Sequence, residues 1–321
     1  MSQSDSLSVF VAADFVEPVR AELARAFRVT FATSEDPLAE LAASGDPHEA
    51  LIFSLDLPLR AETIESLPES VRALATYSVG TDHIDFAAAK ARGLAVFHTP
   101  GVLADSVAEN AIFLMLASAR RATESIELIR SRAWPGWSPT QLVGAQLSGR
   151  TLGIFGMGDI GERIATRAQA LGMQILYCNR NPRPSAEAIG AQFRDSLDAL
   201  VADSDVLMLA CPSTEETRGI LGEETLRRAR SGLIVVNIAR GDVVDDEALI
   251  AALRGGRVWG AGLDVFAGEP NVHPDYFDLP NVFMVPHIGS STLEARLGMG
   301  RSLIEGLSAW SRGDTPENRC A

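Results

Sequence analysis

The feature that most constrains the fold is a glycine-rich turn enclosed between a buried strand and a helix. The apolar strand 151–155 runs directly into the pattern GMGDIG, and a helical stretch over 162–171 follows. In such a unit the first glycine permits a tight turn, the second lets the backbone approach a pyrophosphate, and the third allows close packing of helix on strand. The alternative is an ordinary strand-to-helix turn that contains three glycines and binds no ligand. We predict dinucleotide binding, with contacts at Gly156, Met157, Gly158, Asp159, Ile160 and Gly161.

Short β-branched runs alternate with segments of helical period along the whole chain of 321 residues. This alternation is typical of α/β proteins with parallel sheets. The number of expected strands exceeds one ordinary sheet, so we predict two Rossmann-like or flavodoxin-like parallel-sheet domains. The expected strands are 8–12, 51–53, 74–77, 95–98, 151–155, 174–177, 206–209, 233–237, 260–263 and 282–285.

Two proline-containing turns indicate where the domains meet. The turn at Pro100 precedes a long helix in which Ser106 and Glu109 have the spacing of a capping box. The turn at Pro286 precedes a final helix, expected over 293–311. We therefore predict a dinucleotide-binding domain over residues 101–285, inserted into a discontinuous substrate domain formed by residues 1–100 and 286–321.

Composition narrows the class of protein. Hydrophobic residues make up 46% and charged residues 22% of the chain, as in a globular protein with an ample core. The formal net charge of −14 argues against nucleic acid or an anionic membrane as a partner. The three cysteines are far apart and lack the spacing of zinc ligands, so we expect neither a metal site nor a disulfide framework. No signal peptide or membrane span is evident, which favours a cytoplasmic location.

The segment after the second nucleotide strand bears on the choice of cofactor. NAD sites usually place Asp or Glu there, about 20 residues beyond the glycines, to hold the ribose 2′-hydroxyl. Here the segment 177–183 reads YCNRNPR and contains no acid. A guanidinium can bind a 2′-phosphate in a bidentate manner, so Asn179, Arg180 and Arg183 favour NADP(H). Arginines that are merely solvated are the alternative, and NAD(H) stays open as a cofactor.

Three further polar residues follow later strands of the same region. Arg240, Glu269 and His287 each lie at or near the carboxyl end of a strand, where ligands of open α/β sheets gather. Arginine can hold a carboxylate, histidine can deliver a proton, and glutamate can favour the protonated imidazole. Such a set suits the reduction of a 2-keto acid.

With these residues in view, the sequence resembles the D-isomer-specific 2-hydroxyacid dehydrogenases from about residue 51 to its end. The resemblance is closest to the glyoxylate/hydroxypyruvate reductase branch, whose members often carry an Asn-Arg pair after the second nucleotide strand. Besides the glycine turn, the matching motifs are YSVGTDHID at 77–85, CPST at 211–214, NIARG at 237–241 and PHIGS at 286–290.

The resemblance implies an NADPH-preferring reductase that converts a small 2-keto acid to a D-2-hydroxy acid. Arg240, Glu269 and His287 would form the catalytic triad, with His287 as acid and base. The amides of Val79 and Gly80 would bind the substrate carboxylate, and Leu55 would help to line the substrate pocket. Asp264 would lie near the nicotinamide, with a role in ordering its loop as the alternative. Further cofactor contacts are expected at Cys211, Pro212, Ile238, Ala239, Arg240 and His287.

Other functions stay open at this stage. Within the family, the substrate could be phosphoglycerate or a bulkier keto acid, and a formate dehydrogenase is a more distant relative. A catalytically silent nucleotide-sensing protein could use the same fold. The run 111–117 reads AIFLMLA and is apolar on too many sides for a singly buried helix, which favours a homodimer. Enclosure of this helix between the two domains of one chain is the competing explanation.

Overall fold

The computed structural model describes residues 6–321, which form two compact α/β units. The first unit combines Met1–Leu103 with Ser291–Ala321, and the second consists of Ala104–Ser290. Each unit is built around one parallel sheet, of five and seven strands respectively, which confirms the predicted fold class. The sequence predicts boundaries after residues 100 and 285, whereas the compact units change over after Leu103 and Ser290. The division into a substrate domain and a nucleotide domain stays a prediction.

The first unit has strand order β2-β1-β3-β4-β5, in which all pairs are parallel. This is the flavodoxin-like arrangement, whose order reverses between β1 and β3. Its inner strands are buried at every position because helices cover both faces of a parallel sheet. The strands are β1 (Ser8–Val11), β2 (Arg28–Phe31), β3 (Ala50–Phe53), β4 (Ala73–Thr76) and β5 (Ala95–Phe97). The helices are α1 (Glu17–Ala26), α2 (Pro37–Ala43), α3 (Ala61–Ser66), α4 (Phe86–Ala91) and, from the end of the chain, α12 (Leu293–Ser311).

The second unit has strand order β12-β11-β10-β9-β6-β7-β8, again entirely parallel. Two 3₁₀ helices cover Gly241–Val243 and Pro274–Asp278. The strands are β6 (Thr151–Phe155), β7 (Gln174–Cys178), β8 (Gln192–Arg194), β9 (Val206–Leu209), β10 (Leu233–Asn237), β11 (Val258–Leu263) and β12 (Val282–Met284). The helices are α5 (Ala104–Ala119), α6 (Ala122–Arg130), α7 (Asp159–Ala170), α8 (Pro184–Ala188), α9 (Leu197–Asp203), α10 (Glu223–Arg228) and α11 (Asp246–Arg254).

All of the expected strands are present, with ends that differ by two residues at most. Two strands were not predicted, namely β2 and β8. Both lie at the edge of their sheet, and neither contains a fully buried position. Edge strands are often short and polar because only one of their sides is paired, so they lack the apolar run that identifies an inner strand.

The final helix, α12, covers the predicted range 293–311. The predicted capping box at Ser106 and Glu109 is wrong, because α5 begins at Ala104 and Ser106 already lies inside its first turn. The hydroxyl of Ser106 donates instead to the carbonyl oxygen of Gly289, at 2.7 Å. Within residues 6–321, no helix is both long and apolar enough to cross a membrane.

Candidate active site

The expected cofactor and catalytic residues of the second unit follow the carboxyl ends of strands in a single sheet. The order of this sheet reverses at β6, because the chain passes first to β7 on one side and later to β9 on the other. In open α/β sheets the crevice at such a reversal is the usual ligand site. The residues concerned are Gly156 after β6, Asn179 after β7, Cys211 after β9, Arg240 after β10, Asp264 after β11 and His287 after β12.

Glycine is present at the three positions of the turn for different structural reasons. Gly156 has φ +103°, and a Cβ atom there would lie 2.5 Å from the amide nitrogen of Cys211. A Cβ atom on Gly161 would lie 2.7 Å from the carbonyl oxygen of Gly156. Gly158, in contrast, has no heavy atom within 4 Å of its Cβ position and lies at the start of α7. The protein's own packing requires the first and third glycines, while the second leaves room for phosphates at a helix N-terminus, so the turn fits a dinucleotide.

The residues after β7 that were expected at a 2′-phosphate have different surroundings in the structure. The side chain of Asn179 accepts from the amide of Met157 at 2.7 Å and donates to its carbonyl oxygen at 3.0 Å, so it fixes the glycine turn. The guanidinium of Arg183 is paired with Glu162 at 3.1 Å. Arg180 is exposed. Arg180 and Arg183 are both exposed, but within residues 6–321 only Arg183 is held in a salt bridge, so Arg180 is the exposed cation left for a 2′-phosphate.

The central pair of the site is formed by His287 and Glu269. The distance from His287 Nδ1 to Glu269 Oε2 is 2.8 Å, and Glu269 Oε1 accepts from the amide of Phe266 at 2.9 Å. Burial by itself would raise the pKa of Glu269, but the hydrogen bonds from His287 and Phe266, with the charges of His287 and Arg240, hold that pKa below its ordinary value. Glu269 is therefore ionised at neutral pH. Because a carboxylate only accepts hydrogen bonds, His287 Nδ1 carries a proton.

Asp264 anchors the loop that carries His287. It is 2% exposed, and its carboxylate oxygens accept from the amides of Ile288 at 2.7 Å and Gly289 at 2.9 Å. Its carbonyl oxygen accepts from the amide of His287 at 2.8 Å, which holds that residue at φ +52°. Burial raises the pKa of Asp264, although these amides and the charge of His287 oppose the shift. The loop-ordering role is thus visible in the contacts, and contact with the nicotinamide stays a prediction.

The turn that carries Arg240 is organised by a residue to which the sequence analysis assigned no role, Asn237. Its side chain accepts from the amide of Ala239 at 3.0 Å and donates to the carbonyl oxygen of Arg240 at 2.9 Å. A Cβ atom on Gly241 would lie only 1.8 Å from the carbonyl carbon of Phe266. The two loops therefore pack backbone to backbone, which places Arg240 beside the loop that carries Glu269. An asparagine at the end of an apolar strand is a turn signal that could have identified Asn237.

Three of the other expected cofactor contacts are buried positions at the same edge, whereas Pro212 is exposed. Ile238 and Ala239 follow β10 and are 8% and 6% exposed. Cys211, followed by Pro212, is 7% exposed, and burial raises the pKa of its thiol to about 12. Burial also raises the pKa of Cys178. Both thiols are protonated at neutral pH, so neither is a nucleophile.

The expected substrate residues of the first unit follow two adjacent strands. Leu55 lies in the loop after β3, and Val79 and Gly80 lie in the loop after β4, so all three are at the same edge of their sheet. All three are partly buried. The amides of Val79 and Gly80 have no protein acceptor within residues 6–321.

Comparisons with known proteins agree with this arrangement. The family model for the D-isomer specific 2-hydroxyacid dehydrogenase, NAD binding domain, matches residues 112–289. The glycerate dehydrogenase of Hyphomicrobium methylovorum is 45% identical over 276 residues, which are 85% of each chain. The glyoxylate reductase of Thermococcus litoralis is 42% identical and covers 84% of this chain and 82% of its own. The structure of the NADPH-dependent glyoxylate/hydroxypyruvate reductase of Sinorhizobium meliloti, with NADP and malonate, has a TM-score of 0.88 at 31% identity over 98% of this chain and 97% of its own.

The fold and the site thus define an oxidoreductase with a dinucleotide-binding unit. The chain belongs to the D-isomer specific 2-hydroxyacid dehydrogenase family, which confirms the resemblance seen in the sequence. It is an NAD(P)-dependent 2-hydroxyacid dehydrogenase.

Proposed function

We propose that this protein reduces small 2-keto acids, glyoxylate and hydroxypyruvate, to D-2-hydroxy acids and prefers NADPH. The observation that carries the proposal is the 2.8 Å contact between His287 and ionised Glu269 at the edge of the sheet where the glycine turn lies. Two relatives named a glycerate dehydrogenase and a glyoxylate reductase support the substrate class. The family relationship supports the role of a nicotinamide cofactor.

His287 is the proton donor in this proposal. The bound cofactor supplies a hydride to the keto carbon. Nε2 of protonated His287 gives its proton to the keto oxygen as negative charge develops there. Glu269 holds Nδ1 and stabilises the imidazolium until the proton leaves. In the oxidative direction, neutral His287 takes the proton of the substrate hydroxyl.

The remaining site residues bind and orient. Arg240 holds the substrate carboxylate and polarises the keto group, because a guanidinium offers several donors to one anion. The amides of Val79 and Gly80 also bind the carboxylate, and Leu55 lines the pocket for the rest of the substrate. The cofactor is held by the glycine turn and by contacts at Cys211, Pro212, Ile238, Ala239 and Asp264.

Arg180 carries the preference for NADPH. The residues after β7 include no acid to repel a 2′-phosphate, and the guanidinium of Arg180 is exposed there. Replacement R180A should raise the KM for NADPH roughly 10- to 100-fold, since one charge-assisted hydrogen bond is worth roughly 1.5–3 kcal/mol. R183A is the matched control with a smaller effect, because Arg183 is paired with Glu162. Equal kcat/KM with NADPH and NADH in the unmodified protein would contradict the preference.

The alternatives concern the substrate and the presence of activity. A dehydrogenase of phosphoglycerate or of a bulkier keto acid could carry the same triad, and a nucleotide-sensing protein could bind the cofactor without turnover. A spectrophotometric panel of glyoxylate, hydroxypyruvate, pyruvate, phenylpyruvate and phosphohydroxypyruvate with both cofactors tests these alternatives. Highest kcat/KM with glyoxylate or hydroxypyruvate supports the proposal, and no turnover with any substrate refutes it.

We further propose a homodimer that forms through the second unit. On α5, Phe113 and Leu116 are 48% and 38% exposed, and on α6, Ile126 and Ile129 are 47% and 57% exposed. Exposed apolar side chains on two successive helices are typical of a protein interface. A two-fold interface needs only one such surface on each subunit. Sedimentation should give about twice the 34.3 kDa of one chain, and a mass near 34.3 kDa would contradict the dimer.

The cytoplasmic location predicted from the sequence is also a proposal. The cysteines Cys178, Cys211 and Cys320 are all free thiols, as expected in a reducing compartment. Cell fractionation tests it.

A further inference from the structure

The loop after β4 is held by a chain of buried polar side chains in the first unit. Three of them, Thr76, Ser78 and His83, are 0%, 3% and 5% exposed. Thr76 Oγ1 lies 2.9 Å from His83 Nε2 and 2.7 Å from Ser78 Oγ, and Ser78 Oγ donates to the carbonyl oxygen of Gly80 at 2.6 Å. The chain thus runs from an imidazole through two hydroxyls to the backbone of the loop.

The direction of every hydrogen bond in this chain is determined by counting protons. The carbonyl oxygen of Gly80 only accepts, so the single proton of the Ser78 hydroxyl is used there. Ser78 must then accept from Thr76, whose single proton is used in turn. Thr76 can therefore only accept from His83, which must carry a proton on Nε2. In a buried site such a chain of like-directed hydrogen bonds reinforces itself.

The neighbouring carbonyl groups of the loop are occupied as well. The amide of Thr99 donates to the carbonyl oxygen of Ser78 at 2.9 Å. His98 Nδ1 lies 3.1 Å from the carbonyl oxygen of Val79, and because that oxygen only accepts, His98 Nδ1 is the donor. Three successive carbonyl groups, from Ser78 to Gly80, are thus bound to donors of the protein.

We propose that His98 and the chain from His83 through Thr76 to Ser78 are positioning residues for the Val79 and Gly80 amides. A peptide unit is planar, so a carbonyl group that is fixed also fixes the amide on the other side of the same bond. The amide of Thr99 fixes the carbonyl of Ser78 and so orients the N–H of Val79, and His98 fixes the carbonyl of Val79 and so orients the N–H of Gly80. The chain acts one peptide unit further along, because Ser78 fixes the carbonyl of Gly80. Both peptide units that flank Gly80 are therefore held, which keeps its N–H in place. The loop so held presents two N–H groups to one carboxylate of the substrate. This inference rests on the proposed function, in which these amides bind the 2-keto acid.

The first test replaces the hydroxyl that meets the loop. S78A should weaken binding of oxalate, a dicarboxylate analogue of a 2-keto acid, by roughly 3- to 10-fold, the usual worth of one hydrogen bond. The dissociation constant is measured by calorimetry, which needs no turnover. S8A is the matched control, because Ser8 is a serine of the same sheet that is 1% exposed and bonds to His48. S8A should leave oxalate binding unchanged, and NADPH binding should be unchanged in both variants.

The second test separates positioning from general stability. T76V keeps the shape of Thr76 but removes its hydroxyl, whereas T76S keeps the hydroxyl and removes one methyl group. T76V should weaken oxalate binding and raise the KM for glyoxylate by the same factor while kcat changes less, and T76S should restore both. H98L, which removes the donor to Val79, should act like T76V. A long-range ¹H–¹⁵N spectrum should show the proton on His83 Nε2 in the unmodified protein.

The outcomes distinguish this inference from the proposed function. If the unmodified protein binds oxalate but does not reduce glyoxylate or hydroxypyruvate, the proposed function fails, and weaker binding by S78A and T76V still supports positioning. Absence of oxalate binding by the unmodified protein overturns the positioning role. Equal dissociation constants for T76V and T76S, or for S78A and S8A, overturn it as well.

Discussion

The loop of Val79 and Gly80 in the first unit is held by hydrogen-bond donors, whereas the loop of His287 in the second unit is held by an acceptor. In the first unit, a hydroxyl and an imidazole bind the carbonyl groups of the loop, with Ser78 on Gly80 at 2.6 Å and His98 on Val79 at 3.1 Å. In the second unit, a carboxylate binds the amides that follow the histidine, at 2.7 and 2.9 Å.

This difference determines what each loop has left to offer a ligand. Donors that occupy carbonyl groups leave backbone N–H groups available, which suits an anion. A carboxylate that occupies amides leaves the side chain of His287 available to a ligand and adds a negative charge to the loop. The first arrangement uses hydroxyl and imidazole groups, whereas the second uses the buried carboxylate of Asp264, whose pKa burial raises.

The largest expected effect follows replacement of His287, the proposed proton donor in the loop of the second unit. H287A should lower kcat by ~10²–10⁴, the usual contribution of a general acid, while the dissociation constant for NADPH stays unchanged. H273A is the matched control, because His273 makes the same kind of contact with Glu247, at 3.2 Å. Near-normal turnover of H287A at neutral pH would remove His287 from the mechanism.

The partner of the histidine gives the next effect. E269Q keeps the shape of the side chain but removes the charge that stabilises the imidazolium, so kcat should fall by roughly 10- to 100-fold, in line with one hydrogen bond to a charged group. The KM for the cofactor should change little. An unchanged kcat would show that Glu269 only shapes the loop.

The same variant tests the pKa of Glu269 through stability. This pKa lies below its ordinary value of 4.5 in the native state, so the carboxylate stabilises the fold above the unfolded value and loses that contribution as the pH falls through the native value. The thermal midpoint of the unmodified protein should exceed that of E269Q at neutral pH. The difference should shrink as the pH is lowered below 4.5. A difference that is independent of pH would contradict the shift.

A smaller effect is expected at Asp264, which anchors the loop of His287. D264N leaves one donor group of the amide facing a backbone N–H, so we expect kcat to fall by roughly 3- to 10-fold through misplacement of His287. D246N is the matched control, because Asp246 is a partly buried carboxylate of the same unit whose pKa burial also raises, and it accepts from Tyr276 at 2.7 Å. D246N should affect stability and leave kcat unchanged. Equal kcat for both variants would reduce Asp264 to a structural residue.

The sequence predicted the parts of the molecule that depend on local pattern. Apolar runs identified the inner strands, and the glycine turn identified the nucleotide site, because both patterns arise from packing of adjacent segments. The edge strands β2 and β8 were missed because pairing on one side, rather than burial, creates them. The role assigned to Ser106 was wrong because its partner, Gly289, is distant in the sequence.

The residues that hold the candidate site in place were likewise harder to predict than the site residues themselves. Arg240, Glu269 and His287 could be chosen from residue type, strand position and the family motifs that the sequence resembles. The clamp of Asn179 on Met157 could not, because it depends on the register of β6 and β7. The chain from His83 to Gly80 is formed by residues close in sequence, yet its order becomes evident only when the side-chain distances are known.

The smallest expected effect concerns a second buried histidine in the first unit, His48. His48 is 2% exposed, and its ring nitrogens contact the hydroxyls of Ser8 and Ser44, each at 3.2 Å. Burial lowers the pKa of His48 below its ordinary value of 6.5, and the charge of Arg28 lowers it further, while Asp46 opposes the shift. The native state therefore disfavours the protonated imidazole.

Because of this shift, we expect the stability of the first unit to fall in mild acid. The contribution of Glu269 in the second unit is lost only at lower pH. A histidine whose native pKa is lowered binds fewer protons in the native state than in the unfolded chain, so stability falls as the pH drops below about 6.5. H48Q keeps a polar side chain without a titrating group, and its thermal midpoint should fall less between about pH 7.5 and pH 5.5 than that of the unmodified protein. Equal slopes in the unmodified protein and H48Q would show that acid sensitivity arises elsewhere.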